Sequence, residues 1–134
     1  MDCDTSPMRS ISTDSAPAAI GPYSQAVECN GMLFVSGQLP VDPVTGTIPE
    51  GTKEQAARAL ENVRAIAESA GYSMSDCARV TVYLSDLSLF ADVNSVYSTF
   101  FTEPYPARSC FAVAGIPKGA SMEIDAIFVD QREK

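Results

Sequence analysis

Two strand-like runs carry bulk on both of their alternations, and this limits the possible folds more than any other feature. Leu33 and Val35 alternate with Phe34, and Val80, Val82 and Leu84 alternate with Thr81 and Tyr83. Successive strand side chains point to opposite faces, so both faces of the sheet need cover. Two helical segments can supply it. The first opens at Thr52-Lys53-Glu54-Gln55, a capping-box pattern, and ends before Gly71. Ala56, Leu60, Val63, Ala67 and Ala70 follow helical spacing along it. The second spans residues 87–101, with Phe90, Val93, Tyr97 and Phe100 on one stripe that reads as core. Pro104 and Pro106 end it. Two helices cover one face of a sheet. An apolar face of this size is rarely left in water, and self-association is the simplest way to cover the other.

The remaining runs complete the order. Residues 23–28 and 32–38 flank Cys29-Asn30-Gly31, a tight hairpin signal. Asp42-Pro43-Val44-Thr45-Gly46 is a turn cluster. Strands follow at residues 78–84, 109–116 and 122–129, the last two split by Pro117-Lys118-Gly119-Ala120. The pattern hairpin, α, β, α, β, β predicts an α+β fold with a mixed β-sheet and two helices on one face. Strands joined through a helix should run parallel, and the last two antiparallel.

The chain has 134 residues, one domain's worth, and 46% of them are hydrophobic, enough for a core. Residues 1–15 are polar, with Asp2, Asp4 and Asp14 against Arg9, and predict a flexible leader rather than a mitochondrial presequence. Residues 16–134 form the predicted domain. No apolar run approaches the ~20 residues of a membrane helix. The net charge of −8 and the scattered bases make nucleic acid a poor partner. Cysteines at 3, 29, 77 and 110 lack metal-like spacing, and there is no histidine. Zinc sites and histidine-based triads are thereby excluded. The thiols read as reduced, in a cytoplasmic protein.

Against this background Arg108 and Glu123 stand out. Each is a lone charge opening an apolar run, fifteen positions apart. Arginine grips a carboxylate with a planar fork. An acid among Met122, Ile124 and Ala126 can have its pKa raised toward the range useful for proton transfer. Across a short turn the two runs are antiparallel, so their starts should lie about 20 Å apart. One small ligand cannot span that gap. Arg108 of one chain is therefore expected to meet Glu123 of a neighbour.

Three blocks, in order, carry a resemblance. Ala16-Pro-Ala-Ala-Ile-Gly-Pro-Tyr23-Ser-Gln-Ala, then Phe34-Val-Ser36-Gly37-Gln-Leu-Pro, then Pro106-Ala-Arg108-Ser-Cys110 resemble the RidA family, the YjgF-type imine deaminases, over residues 16–129. The resemblance implies a homotrimer of chorismate-mutase-like fold, sheets inward and helices outward. It implies hydrolysis of reactive 2-imino or 2-enamino acids to 2-oxo acids plus ammonia, with no metal or cofactor. Arg108 would be the carboxylate clamp and Glu123 the acid–base group. The Tyr23 phenol would donate to substrate, and Cys110 would offer its main-chain N–H rather than its thiol. Ser36 and Gly37 would approach the ligand, and Asn94 would bond the clamp or a substrate carbonyl. Residues 103–106 look shorter than in some relatives, which bears on the pocket rim. The alternative is a non-catalytic trimer that binds small carboxylates or regulates. Arg108 would suffice for that; Glu123 favours the enzyme. RNA cleavage, associated with relatives, meets the charge of −8 and ranks last.

Overall fold

Asn30 and Gly31 both take positive φ, 54° and 76°. Such a two-residue turn matches the natural twist of a hairpin, and it sets Cys29 opposite Met32. In this computed structural model, which describes residues 7–131, the strands are β1 (Arg9–Ile11), β2 (Ala26–Cys29), β3 (Met32–Gln38), β4 (Cys77–Leu84), β5 (Ala107–Ala112) and β6 (Met122–Val129). The helices are α1 (Thr52–Ser69) and α2 (Phe90–Tyr97), the latter preceded by a 3-10 turn at Leu87–Leu89.

The six strands form one sheet in the order β1-β2-β3-β6-β4-β5. Only β4 and β5 pair in parallel. Because β6 is antiparallel to both β3 and β4, those two run the same way, as the helical crossover requires. The last strand thus enters the middle of the sheet. Its alternation gives it one buried face: Met122, Ile124, Ala126 and Phe128 are all buried.

That buried row meets Leu33, Val35, Val80, Val82 and Leu84 in one core, closed by Leu60, Val63 and Ile66 of α1 and Val93 and Tyr97 of α2. Each large aliphatic so buried contributes about 1.5–3 kcal/mol. The opposite face has no helix. Phe34 and Phe111 lie there and are 42% and 53% exposed.

Four expectations need correction. The leader is not loose throughout: residues 1–6 lie outside the described residues, but β1 pairs antiparallel with β2 and buries Ile11. Buried Gln25 secures it, accepting from Thr13 N at 2.7 Å and donating to Pro17 O at 2.8 Å. The capping box does not form. Gly51 is the N-cap of α1, and Gln55 instead donates to Pro49 O and accepts from Ser121 N, clamping two loops. The second helix is shorter than residues 87–101, and the fifth strand starts two residues earlier than predicted, which puts Arg108 inside β5.

Besides Gln55, a second polar side chain is buried on α1. Fully buried Asn62 donates to Leu39 O at 3.1 Å and Val41 O at 2.9 Å and accepts from Arg58 at 2.9 Å. It pins the loop that leaves β3. Asn62→Ala should lower unfolding free energy by about 2–6 kcal/mol, because two loop carbonyls lose buried donors at roughly 1–3 kcal/mol each. Chemical denaturation measures it. A loss below about 0.5 kcal/mol, the usual surface value, would mean the loop is held by other means.

Candidate functional site

Arg108 projects from β5 toward α2. Its Nη1 donates to Asn94 Oδ1 at 2.7 Å. The guanidinium carbon lies 4.6 Å from the ring centre of Tyr97 and 5.3 Å from that of Phe90. Among the described residues no carboxylate forms a salt bridge with it, whereas Arg9 pairs with Glu28 and Arg64 with Glu61. The charge is exposed and flanked by a depression lined by Asn94, Tyr97, Ser98, Tyr105, Pro106 and Arg108. An arginine without an acid is suited to take an anion from outside.

Glu123 lies in a second depression with Gly37, Tyr83, Asp125 and Ile116. Burial, and then the neighbouring Asp125 carboxylate, raise its pKa above the ordinary value. Asp125 accepts from the Tyr83 hydroxyl at 2.9 Å. Burial and this bond to Asp125 raise the Tyr83 phenol in turn. Glu123 lies close over Gly37: a β-carbon there would stand 2.8 Å from the carboxyl carbon and would push the acid aside. The bare glycine backbone lets the acid lie against β3.

The register places the two depressions on opposite faces. Arg108 is level with Val80 and Cys110 with Val82, whose side chains are in the helix-covered core. Glu123 is level with Tyr83, on the open face. The offset is three residues along the strands and two strands across, roughly 14 Å at ordinary spacings rather than about 20 Å. The shorter distance does not help, because the sheet itself stands between the groups.

The other expected site residues divide between these faces or join neither. Asn94 is beside Arg108, as anticipated. Cys110 packs half-buried against the core, and burial raises its thiol pKa, with Arg108 opposing. Burial thus disfavours the thiolate. Tyr23 is 55% exposed and lines a third depression with Ser12, Asp14, Ser24 and Pro43, touching neither charge within the chain. Ser36 Oγ donates to Ser24 O at 2.6 Å, and Ser36 N to Gln25 O at 2.9 Å. Its hydroxyl thus ties the Tyr23 loop to β3, next to Gly37. Sequence reasoning missed Asp125 and Tyr83, although Asp125 shares the alternation of Glu123. It also read Phe90 and Tyr97 as core alone, and they face the arginine as well.

Among the described residues no cluster of three or more histidines, cysteines or acids could hold a metal, and no helix is long and apolar enough to cross a membrane.

Comparison with known proteins places this geometry. The chain matches the family model described as Endoribonuclease L-PSP over residues 13–129. A RutC family protein of Sinorhizobium fredii is 52% identical over 87% of this chain and 94% of that protein. The 2-iminobutanoate/2-iminopropanoate deaminase of Salmonella typhimurium is 50% identical over 90% of this chain and 97% of its own length. The crystal structure of Escherichia coli TdcF with bound serine has a TM-score of 0.88 and 48% identity, covering 92% of this chain and 98% of TdcF. The match runs through β5 and β6 and so takes in both charged positions: the chain belongs to the endoribonuclease L-PSP family, the RidA family that its sequence blocks resemble.

Proposed function

We propose that this protein hydrolyses 2-imino acids such as 2-iminobutanoate and 2-iminopropanoate to 2-oxo acids and ammonia, at sites formed between protomers of a homotrimer. The observation that carries the reading is an arginine with no acid partner among the described residues and an acid of raised proton affinity on opposite faces of one sheet. Relatives about half identical to this chain are named as deaminases of these compounds. TdcF holds a serine, a small molecule with the same carboxylate handle.

The chemistry follows from the residues. Arg108 of one protomer grips the substrate carboxylate through two parallel N–H bonds, and the Cys110 N–H adds a donor. Glu123 of a neighbour faces C2 of the protonated imine and orients a water. The water oxygen bonds to C2 while Glu123 takes a proton and the C=N π pair moves to nitrogen. Glu123 then passes that proton to the nitrogen. Ammonia departs as the hydroxyl oxygen gives its proton back to the Glu123 carboxylate and closes the new carbonyl; Glu123 returns that proton to solvent. Tyr23, carried on the loop tied by Ser36, donates to the bound substrate. The exposed Phe34 and Phe111 on the open face are what a neighbouring copy would cover.

A ribonuclease reading, which the family description suggests, has less support. Seventeen acids oppose nine bases. Of the bases, Arg9 and Arg64 are paired with acids, and Arg58 and Arg79 are bonded to Asn62 and Ser109. A phosphate backbone finds no positive track in that arrangement.

The test is ammonia release from 2-iminobutanoate, generated in place by a threonine dehydratase, above the uncatalysed rate. No excess release, together with retained binding of 2-oxobutanoate, would leave the non-catalytic reading. Arg108→Lys should lose about two orders of magnitude or more in kcat/KM, because a point charge cannot reproduce two charge-assisted bonds of ~1.5–3 kcal/mol each. Wild-type rates in that variant would refute the bidentate clamp.

Glu123→Gln should bind ligand normally and lose roughly 10²–10⁴-fold in kcat. In the parent protein kcat/KM should fall as pH drops through a Glu123 pKa lying above the usual 4.5. Asp125→Asn removes a like charge that favours the protonated acid, so it should move this acidic limb to lower pH. An unmoved limb would mean that a group other than Glu123 titrates.

A further inference from the structure

We infer that one stripe of α2, formed by Phe90, Asn94 and Tyr97, is a cradle that sets the plane of the Arg108 guanidinium, making Phe90 and Tyr97 positioning residues for the carboxylate clamp. The inference rests on the proposed reading of Arg108 as that clamp.

The three residues stand at i, i+4 and i+7, so they share one helix face. All three touch the same guanidinium: an amide oxygen at 2.7 Å, and ring centres at 5.3 Å and 4.6 Å. Arginine is a long side chain with several soft torsions, and on an exposed strand it would normally sample many of them. Here two aromatic rings take up the cation, and the amide bond fixes its rotation about the stacking axis. The geometry differs from an ion pair in one respect that matters. An acid at position 94 would neutralise the cation and compete with a ligand. An amide oxygen orients it and leaves the charge intact. Asn94 engages Nη1, so Nη2 and Nε remain as a side-on edge for a planar carboxylate.

Tyr97 is 6% exposed, and its hydroxyl is buried with no hydrogen-bond partner among the described residues. The hydroxyl takes no part in the cradle, which uses the ring face. Phenylalanine should therefore do the same work, and an aliphatic residue of similar bulk should not.

The test uses the intact protein and four variants: Tyr97→Leu, Tyr97→Phe, Phe90→Leu and Asn94→Ala. Two quantities are read at a temperature well below each melting point. The first is KM and kcat for 2-iminobutanoate, with 2-oxobutanoate affinity by calorimetry. The second is the rotation of the Arg108 side chain in the ligand-free protein, from its Nη nitrogen resonances. Tyr97→Leu and Asn94→Ala should raise KM and weaken 2-oxobutanoate binding by about 3–30-fold, with kcat changed less, and Phe90→Leu by about 2–5-fold. Resolved Nη signals in the parent should merge in Tyr97→Leu and Asn94→Ala. Tyr97→Phe should rescue what Tyr97→Leu loses. Folded Asn94→Ala and Phe90→Leu proteins with parental KM and unaltered Nη signals would overturn the cradle, whether or not Tyr97→Leu folds. So would a Tyr97→Phe variant as impaired as Tyr97→Leu. A parent protein that binds no 2-oxo acid at all would refute the clamp reading itself, and the cradle's role with it, even if the Nη signals showed a held guanidinium.

Discussion

Alternation along adjacent strands separates Arg108 from Glu123. A side chain on β5 at the level of Val80 must point where Val80 points, into the helix-covered side. One on β6 at the level of Tyr83 must point the other way. The constraint is steric and local. It forces a choice. Either the two groups serve separate purposes, or a second copy brings its own face to complete each site. The second option also covers Phe34 and Phe111, which a single copy leaves exposed. Stability and catalysis then draw on the same contact.

Each charge is prepared by its own face. Around Arg108 the chain supplies aromatic faces and an amide, which hold a cation without cancelling it. Around Glu123 it supplies burial, a second carboxylate and a glycine that clears the space. One environment keeps a charge available to a ligand; the other makes a charge less comfortable and so readier to accept a proton.

Much of this was legible in the sequence where the signal is periodic. The bounds of β3 and β6 agree with the structure residue for residue, because an apolar alternation closed by turn residues leaves little choice. The Asn30-Gly31 hairpin and the opposed directions of β5 and β6 follow from turn chemistry and crossover rules. Other features depend on tertiary partners. Strand β1 has one buried apolar residue, Ile11, between polar neighbours, and exists because β2 offers an edge and Gln25 a clamp. Gln55 suits a capping box, but two loops converge on its amide. The insertion of β6 between β3 and β4 leaves no local trace. Periodicity marked Phe90 and Tyr97 as core, correctly for Tyr97, yet could not show that an arginine from β5 rests on their outer faces.

The central claim is that each site needs two copies of the chain, and subunit mixing tests it most directly. Arg108→Ala and Glu123→Gln proteins should each be inactive alone. Mixed in equal amounts and allowed to exchange, random cyclic trimers should recover about one quarter of the parental activity per chain, the chance that a junction draws both intact partners. Mass spectrometry of the intact assemblies verifies the exchange. Activity that stays at the level of the separate variants, with exchange demonstrated, would place both residues in one chain's own site and contradict the account.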